Sequence, residues 1–332
     1  MKASPDSSNN LAISVSLGGT SSAATLVSGE GALINQSTAM LAGSKAEAVA
    51  SLILEQVETL LAHAALHHLG VGGIGISVPG IADRERDTVW APDIEGWEQF
   101  PLYGYLNNHL TRHDLPIRIE SDRGTSMLGE WWMGAAKGVR NAVFLLVGDG
   151  IGAGILSDGQ LIRGAHDISG AVGWMALQRS FEARFKRCGN FEFYASGEGM
   201  LRQAQEMNQK GSSRIFQKNK TGPGDTGELF SSYEKKDPVA VKVIDQAIEL
   251  WGMAAANLVS ILNPEIIIFG GEVFGPGVRF LDRIYREAIR WAQPVAMRRV
   301  QFLSSELKEN APLLGAAQPF FQEPSASGFH IG

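Results

Sequence analysis

Asp122 closes the segment Ile119-Glu-Ser-Asp122, where an apolar run ends. A carboxylate at a strand end, facing a cleft, can accept a proton from a substrate hydroxyl. An Asp in that place also serves as a helix cap or turn former, and both readings stand on this segment alone. Three glycine-rich segments bear on a polyanion. Ser16-Leu-Gly-Gly-Thr20 puts Gly18, Gly19 and Thr20 at a hairpin corner, where backbone N–H groups can approach a phosphate closely; a plain β-turn has the same composition. Gly148-Asp-Gly-Ile-Gly-Ala-Gly154 follows a strand and fits G-x-G-x-x-[GA]. A dinucleotide site of that type needs a helix to begin at the loop, whereas Ile155-Leu-Ser-Asp-Gly159 reads as strand and turn. Leu262-Asn-Pro-Glu-Ile-Ile-Ile-Phe-Gly-Gly271 reads as helix end, buried strand and a corner at Gly270 and Gly271.

Other reactive side chains offer less. Cys188 is the one cysteine, so the chain can build neither an internal disulfide nor a cysteine zinc cage. His63 and His67 have metal-ligand spacing on a predicted helix with His68 beside them, but no carboxylate motif accompanies them, and a solvated helix face is the simpler expectation. His166 is read as a loop residue. The net charge of −6 gives no electrostatic footprint for nucleic acid or an anionic membrane. No apolar run approaches the roughly 20 residues of a membrane helix, and residues 1–10 lack the apolar stretch of a signal peptide; the expectation is a cytoplasmic protein.

The elements that must position these residues follow from periodicity. A chain of 332 residues, 44% hydrophobic and 19% charged, suits two globular domains. Leu11–Ser28 reads as a hairpin, 32–40 as a third strand, and 45–69 as a helix with Val49, Leu52, Ile53, Val57, Leu60 and Leu61 on one face. A strand at 73–78, a helix at 102–113, a strand at 117–121 and a helix at 125–136 follow. The pattern then restarts with strands at 142–147, 152–158 and 160–163. Two helical stretches, a long helix at 238–262, a strand at 265–269, a helix at 278–291, a strand at 300–304 and a last helix at 311–321 complete it. Residues 207–236, rich in Gly, Ser and Lys, read as an exposed loop region. The repeated order predicts two α/β domains facing across a cleft: 11–139 plus 311–322, and 140–310, with 1–10 and 323–332 as flexible tails.

Taken together and in this order, the motifs over about 11–321 resemble the ROK family of repressors, open reading frames and sugar kinases. Ser16–Thr20 resembles its D-[IL]-G-G-T phosphate motif. Gly75-Ile-Ser-Val-Pro-Gly80 and Ala91-Pro-Asp-Ile-Glu-Gly-Trp97 resemble its G-x-P-G and A-P-N-L-x-G-W region. Glu120-Ser-Asp-Arg-Gly124 with Leu128-Gly-Glu-Trp-Trp132 is similar to E-N-D-A-N followed by L-G-E-W-W, and Gly148–Gly154 to G-T-G-I-G-A-G. The resemblance implies two actin-like (ribonuclease H-like) domains, ATP with Mg²⁺, and a sugar phosphorylated by way of Asp122. It further implies phosphate or nucleotide contacts at Gly18, Gly19, Thr20, Gly148, Asp149, Gly150, Gly270 and Gly271. Sugar contacts are implied at Gly80, Asp93, Ser121, Asp122, Trp174 and Glu192. A homodimer is implied as well.

Departures from the family pattern limit what carries over. The family's Asp that helps hold Mg²⁺ is Ser16, and the Thr of G-T-G is Asp149, a carboxylate that repels polyphosphate unless a cation lies between. Asp149 is a candidate Mg²⁺ ligand that takes over from residue 16; the alternative is decay of the ATP site. In Gly170-Ala-Val-Gly-Trp174 the family's Glu is Ala171 and its His is Trp174. The three-cysteine zinc segment is shortened to Cys188-Gly-Asn-Phe-Glu192, so no structural zinc is expected. Trp174 and Trp97 can stack on a flat ligand or pack in the core. About ten residues precede the first strand, which leaves no helix-turn-helix there and argues against direct DNA binding. The expected function is ATP-dependent phosphorylation of a hexose or related sugar with altered or impaired specificity; the alternative is a non-catalytic ligand-binding or regulatory protein.

Overall fold

A computed structural model describes residues 10–208 and 224–321. It divides into two compact units. The first holds, of the described residues, 10–133, 165–167 and 310–321; the second holds the remainder. The division falls after Met133, and the chain returns to the first unit for the three residues Ala165–Asp167. The expected tails lie outside the described residues, except that Asn10 starts the first strand.

The first unit opens with β1 (Asn10–Leu17), β2 (Ser21–Val27), β3 (Leu33–Met40), α1 (Glu47–Leu66) and β4 (Gly70–Val78). It continues with β5 (Ile81–Asp83), β6 (Thr88–Trp90), α2 (Leu102–His109), β7 (Ile117–Ser121) and α3 (Asp122–Met133). The sheet order is β3-β2-β1-β4-β7, antiparallel through the first three strands and parallel across β1-β4-β7. Alternation along β1 sends Leu11, Ile13, Val15 and Leu17 into one core with Val49, Ile53, Val57 and Leu60 of α1. By length and composition α1 is apolar enough to cross a membrane, which corrects the expectation that no such run exists. Its buried face nonetheless recurs every three or four residues against the sheet, as a core helix does.

The second unit contains β8 (Ala142–Val147), β9 (Ile151–Ser157), β10 (Gln160–Leu161), α4 (Asn190–Ala195), α5 (Gly197–Asn208) and α6 (Thr226–Glu234). After these come α7 (Pro238–Leu262), β11 (Ile266–Gly270), α8 (Phe274–Gly277), α9 (Leu281–Ile289), α10 (Pro294–Met297) and β12 (Gln301–Ser304). The sheet order β10-β9-β8-β11-β12 repeats that of the first unit, again with an antiparallel hairpin running into parallel strands. Helix α7 is bounded as its sequence suggests. Asp237 accepts hydrogen bonds from the Val239 and Ala240 N–H groups, Pro238 follows, and Asn263 ends the helix in the left-handed region. The indole of Trp251, fully buried on α7, donates to the Ala195 carbonyl at 3.0 Å and ties α4 to it.

The last helix, α11 (Ala311–Ala317), returns to the first unit and packs with α3 on the sheet face opposite α1. The approach is at backbone range. A Cβ on Gly75 would lie 2.0 Å from the Ala316 carbonyl oxygen, one on Gly129 2.1 Å from that of Ala311, and one on Gly315 1.7 Å from that of Thr125. Only hydrogen fits at these three places. Polar groups on this face find partners: the Ser14 hydroxyl donates to the Leu313 carbonyl at 2.6 Å, and the Ser77 and Thr125 hydroxyls bond at 2.7 Å.

Two further expectations are corrected, and one open alternative is decided. Residues 226–234, read as loop, form α6: Asp225 caps it by accepting from the Glu228 N–H, and Leu229 and Phe230 are buried. Met207 and Asn208 end α5, and residues 209–223 of that loop lie outside the described residues. Helix α3 starts at Asp122, three residues before the predicted start. Trp97 is wholly buried, stacked on Phe100 at 4.8 Å with its indole donating to the Ala46 carbonyl, so it is core and not a ligand platform.

The glycine seam gives a stability prediction. Gly315→Ala should cost about 1–3 kcal/mol or more through overpacking. Gly104→Ala, in α2 with nothing within 4 Å of the added methyl, should stabilise by about 0.5–1 kcal/mol. Denaturant midpoints of the two variants check the contrast.

Candidate functional site

In the first unit, the ends of β4 and β7 bring several predicted residues together. Ser121 ends β7 and Asp122 begins α3. The Ser121 hydroxyl accepts from the Gly124 N–H at 3.4 Å, and the Glu120 carboxylate accepts from the Ser121 N–H at 3.0 Å. Asp122 Oδ1 accepts from the Arg123 N–H at 2.7 Å. Helix capping therefore falls largely to Ser121, while Asp122 sits in the positive field of the first turn. Gly80 forms the corner between β4 and β5 with φ of 90°, and a Cβ there would stand 2.1 Å from the Trp90 carbonyl oxygen. Asp93, exposed on the 91–97 loop, is close enough to act on Asp122 electrostatically. That loop is pinned by Trp97 and by the Ala46 N–H, which donates to the Glu95 carbonyl at 2.8 Å.

Burial pushes the Asp122 carboxyl up to about 6, and Asp93 adds to the rise; the Arg123 charge and the Arg123 N–H act against it. A carboxyl in that range divides its time between accepting and holding a proton near neutrality, as a general base requires. Arg123 was not among the residues singled out from the sequence. The sequence marks it only as an arginine directly after the candidate acid. The guanidinium donates to the Gly80 carbonyl at 2.9 Å and the Asp167 carbonyl at 3.3 Å. Asp167 belongs to the three-residue return into this unit, and its carboxylate pairs with Arg84 at 2.6 Å.

The corner between β1 and β2 carries Gly18, Gly19 and Thr20. The Gly18 N–H donates to the Ser21 carbonyl at 2.8 Å, and the Thr20 carbonyl accepts from the Leu41 N–H at 2.9 Å. Gly19 and Thr20 are exposed, and a Cβ at Gly19 would meet nothing within 4 Å. Ser16 is half-buried on β1, in register with Ser77 of β4.

The second unit places the other glycine corners together. Gly148, Asp149 and Gly150 turn β8 into β9, with the Gly148 N–H donating to the Gly150 carbonyl at 3.0 Å. The turn is braced from behind. The Gly197 N–H at the start of α5 donates to the Gly148 carbonyl at 2.7 Å, and the Glu192 carboxylate accepts from the Ile151 N–H at 2.6 Å. Gly271, with φ of 90°, packs its α-carbon against the Val147 carbonyl, and Gly270 packs against the Phe144 ring. Thr226 at the start of α6 would meet a Cβ on Gly197 at 3.2 Å, so α6 also abuts this corner. Neither Gly197 nor Thr226 was foreseen. Asp149 is exposed at the tip. Among the described residues no group of three or more His, Cys, Asp or Glu could hold a metal. Trp174, 53% exposed, ends a short 3₁₀ turn that Ala171 precedes. Glu192 lies in this unit, under the Gly148–Gly150 turn.

The sequence matches the ROK family over residues 12–323. It is 29% identical over 247 residues to a glucokinase of Halalkalibacterium halodurans, covering 73% of this chain and 74% of that one. It is 30% identical over 282 residues to a xylose repressor of Caldicellulosiruptor bescii, covering 83% and 69%. Among solved structures, a ROK hexokinase from Thermus thermophilus aligns with TM-score 0.75 and 27% identity over 93% of this chain and 97% of its own. A ROK glucokinase from Streptomyces griseus, in complex with glucose and AMPPNP, aligns with TM-score 0.73 and 26% identity over 93% and 98%.

The position of Asp122 sets a pH dependence of stability. Its folded-state pKa lies above the unfolded value of 3.8, so its contribution is greatest below that value and is lost as pH rises through about 6. Asp122→Asn should therefore raise stability by up to about 2–3 kcal/mol at pH 8, with the gain vanishing near pH 4. Melting curves of both proteins across this range test the sign.

Proposed function

The chain belongs to the ROK family, and on that premise we propose that it transfers the terminal phosphoryl group of ATP to a hydroxyl of a hexose or related sugar, with Asp122 as proton acceptor. The observation that carries this reading is the Asp122 carboxyl itself, fixed at the head of α3 and raised to about 6. In the proposed reaction Asp122 takes the proton from the sugar hydroxyl as its oxygen attacks the γ-phosphorus, and ADP leaves with the bridging oxygen. Backbone N–H groups at the Gly18–Thr20 and Gly148–Gly150 corners would hold phosphate oxygens. Gly270 and Gly271 would let the nucleotide approach the backbone. The glucokinase relatives and the AMPPNP bound to the Streptomyces griseus enzyme support ATP as the donor.

Magnesium fits this arrangement only sparsely. Mg²⁺ is commonly held by one or two carboxylates together with substrate phosphates, and exposed Asp149 is suited to be such a carboxylate. Bound there, Mg²⁺ would neutralise phosphate charge that Asp149 otherwise repels. On the sugar side, Gly80, Asp93 and Ser121 join Asp122 in the first unit. Trp174 and Glu192 are assigned to sugar by family pattern alone. A homodimer and a cytoplasmic location belong to the same reading.

A second reading is a ROK protein that binds ligand without turnover. It is favoured by the loss of polar groups at Ala171 and Trp174 and by the Glu192 carboxylate, which accepts the Ile151 N–H. Each hydrogen bond no longer made to a sugar forfeits about 0.5–1.5 kcal/mol. The xylose repressor relatives support this alternative.

An ATP-consumption assay over a sugar panel separates the two. The proposed kinase should show turnover that Asp122→Ala reduces by at least about a hundredfold; ATP or sugar binding without turnover would establish the second reading. For the metal, Asp149→Asn should abolish Mg²⁺-dependent ATP binding. Binding that improves in that variant would overturn the assignment.

A further inference from the structure

Arg123 is 8% exposed although it carries a full charge. Removing a guanidinium from water is expensive unless other charges offset it, and the contacts around it divide that task. Its guanidinium donates to two neutral acceptors, the Gly80 and Asp167 carbonyls at 2.9 and 3.3 Å. Burial lowers its pKa, while the charges of Asp122 and Glu120 hold it up. The nearby Asp167 carboxylate is occupied elsewhere. It accepts from the Arg84 N–H at 3.2 Å and from Arg84 Nε at 2.9 Å, with Nη2 at 2.6 Å. Two arginines thus share one aspartate, Arg84 taking its carboxylate and Arg123 its carbonyl.

We infer that Arg123 is a positioning residue of this site: its guanidinium, fastened between the Gly80 corner and the Asp167 backbone, is the fixed cation that keeps the Asp122 carboxylate available as a proton acceptor. The inference rests on the reading of Asp122 as that acceptor and adds what sustains it. The charges that act on Asp122 are Arg123 on α3 and Asp93 on the 91–97 loop, and Glu120 on β7 acts on Arg123. Burial and Asp93 both favour the neutral acid. The cation beside it is Arg123, held in place by three segments of the first unit. Arg84 engages the neighbouring Asp167 carboxylate in an ion pair of its own. The residue stands where the family pattern E-N-D-A-N has an alanine, so this cation is a property of this chain.

The test is a titration of the Asp122 carboxyl by ¹³C NMR on the full chain without ligand, with Asp122→Asn to assign the signal. Arg123→Gln keeps a donor for Gly80 and removes the charge; it should move the midpoint up by about one unit or more. Arg123→Lys keeps the charge and should restore the midpoint to within roughly half a unit of wild type. A Gln variant that titrates like wild type would overturn the inference. Should the Gln variant fail to fold, the exposed Arg84→Gln serves instead: with Asp167 released to draw on Arg123, the Asp122 midpoint should again rise, and an unchanged midpoint refutes the role. No substrate enters these measurements. A protein without kinase turnover would therefore still decide this question, and an Asp122 insensitive to Arg123 would leave the phosphoryl-transfer reading to its own assay.

Discussion

Backbone-to-backbone contact of α11 with α3 and β4 is the constraint on which the first unit depends. At Gly75, Gly129 and Gly315 the α-carbons press against carbonyl oxygens so closely that a methyl group has no room. Dispersion at this range is gained along the whole seam, and the Ser14 and Ser77 hydroxyls satisfy the polar groups it buries. The result is a helix whose height above the sheet is fixed by glycine and not by side-chain size. Asp122, as the first residue of α3, inherits that precision. It reaches the carboxyl end of the parallel strands, where open α/β sheets bind ligands.

Electrostatics at this point depends on the same packing. A helix start attracts an anion, yet burial penalises it, and the outcome for Asp122 is a carboxyl balanced near 6. The second unit presents at its corner an exposed backbone turn. There the Gly148–Gly150 turn is stiffened from below by Glu192 and Gly197. Preorganisation of such a turn keeps its N–H groups aimed without reorganisation when an anion arrives.

Much of the fold was legible because periodicity survives in long elements. Helix α7 was read with its observed bounds, since Asp237, Pro238 and Asn263 mark its ends and a wide apolar face fills its middle. The repeated hairpin-strand-helix order appears as two sheets with the same strand sequence. What escaped was short or hidden by composition. Strands β5 and β6 have three residues each, too few to show alternation. Helix α6 lies in polar sequence, and only Asp225, Leu229 and Phe230 betrayed it. Trp97 offered the same letters whether core or platform, and only packing decides between them. At the site, residue types announced Asp122 and the glycine corners. Arg123 could not be weighed without knowing that Gly80 and Asp167, distant in sequence, lie beside it.

Helix α11 has a consequence for biosynthesis. It is encoded after every element of the second unit, so a ribosome must complete that unit before the first can acquire its innermost layer. Until then the strands and α3 of the first unit have an uncovered flank lined by small residues. The order N-terminal first, usual for multidomain chains, is inverted here: the half that begins translation is the one that finishes folding last.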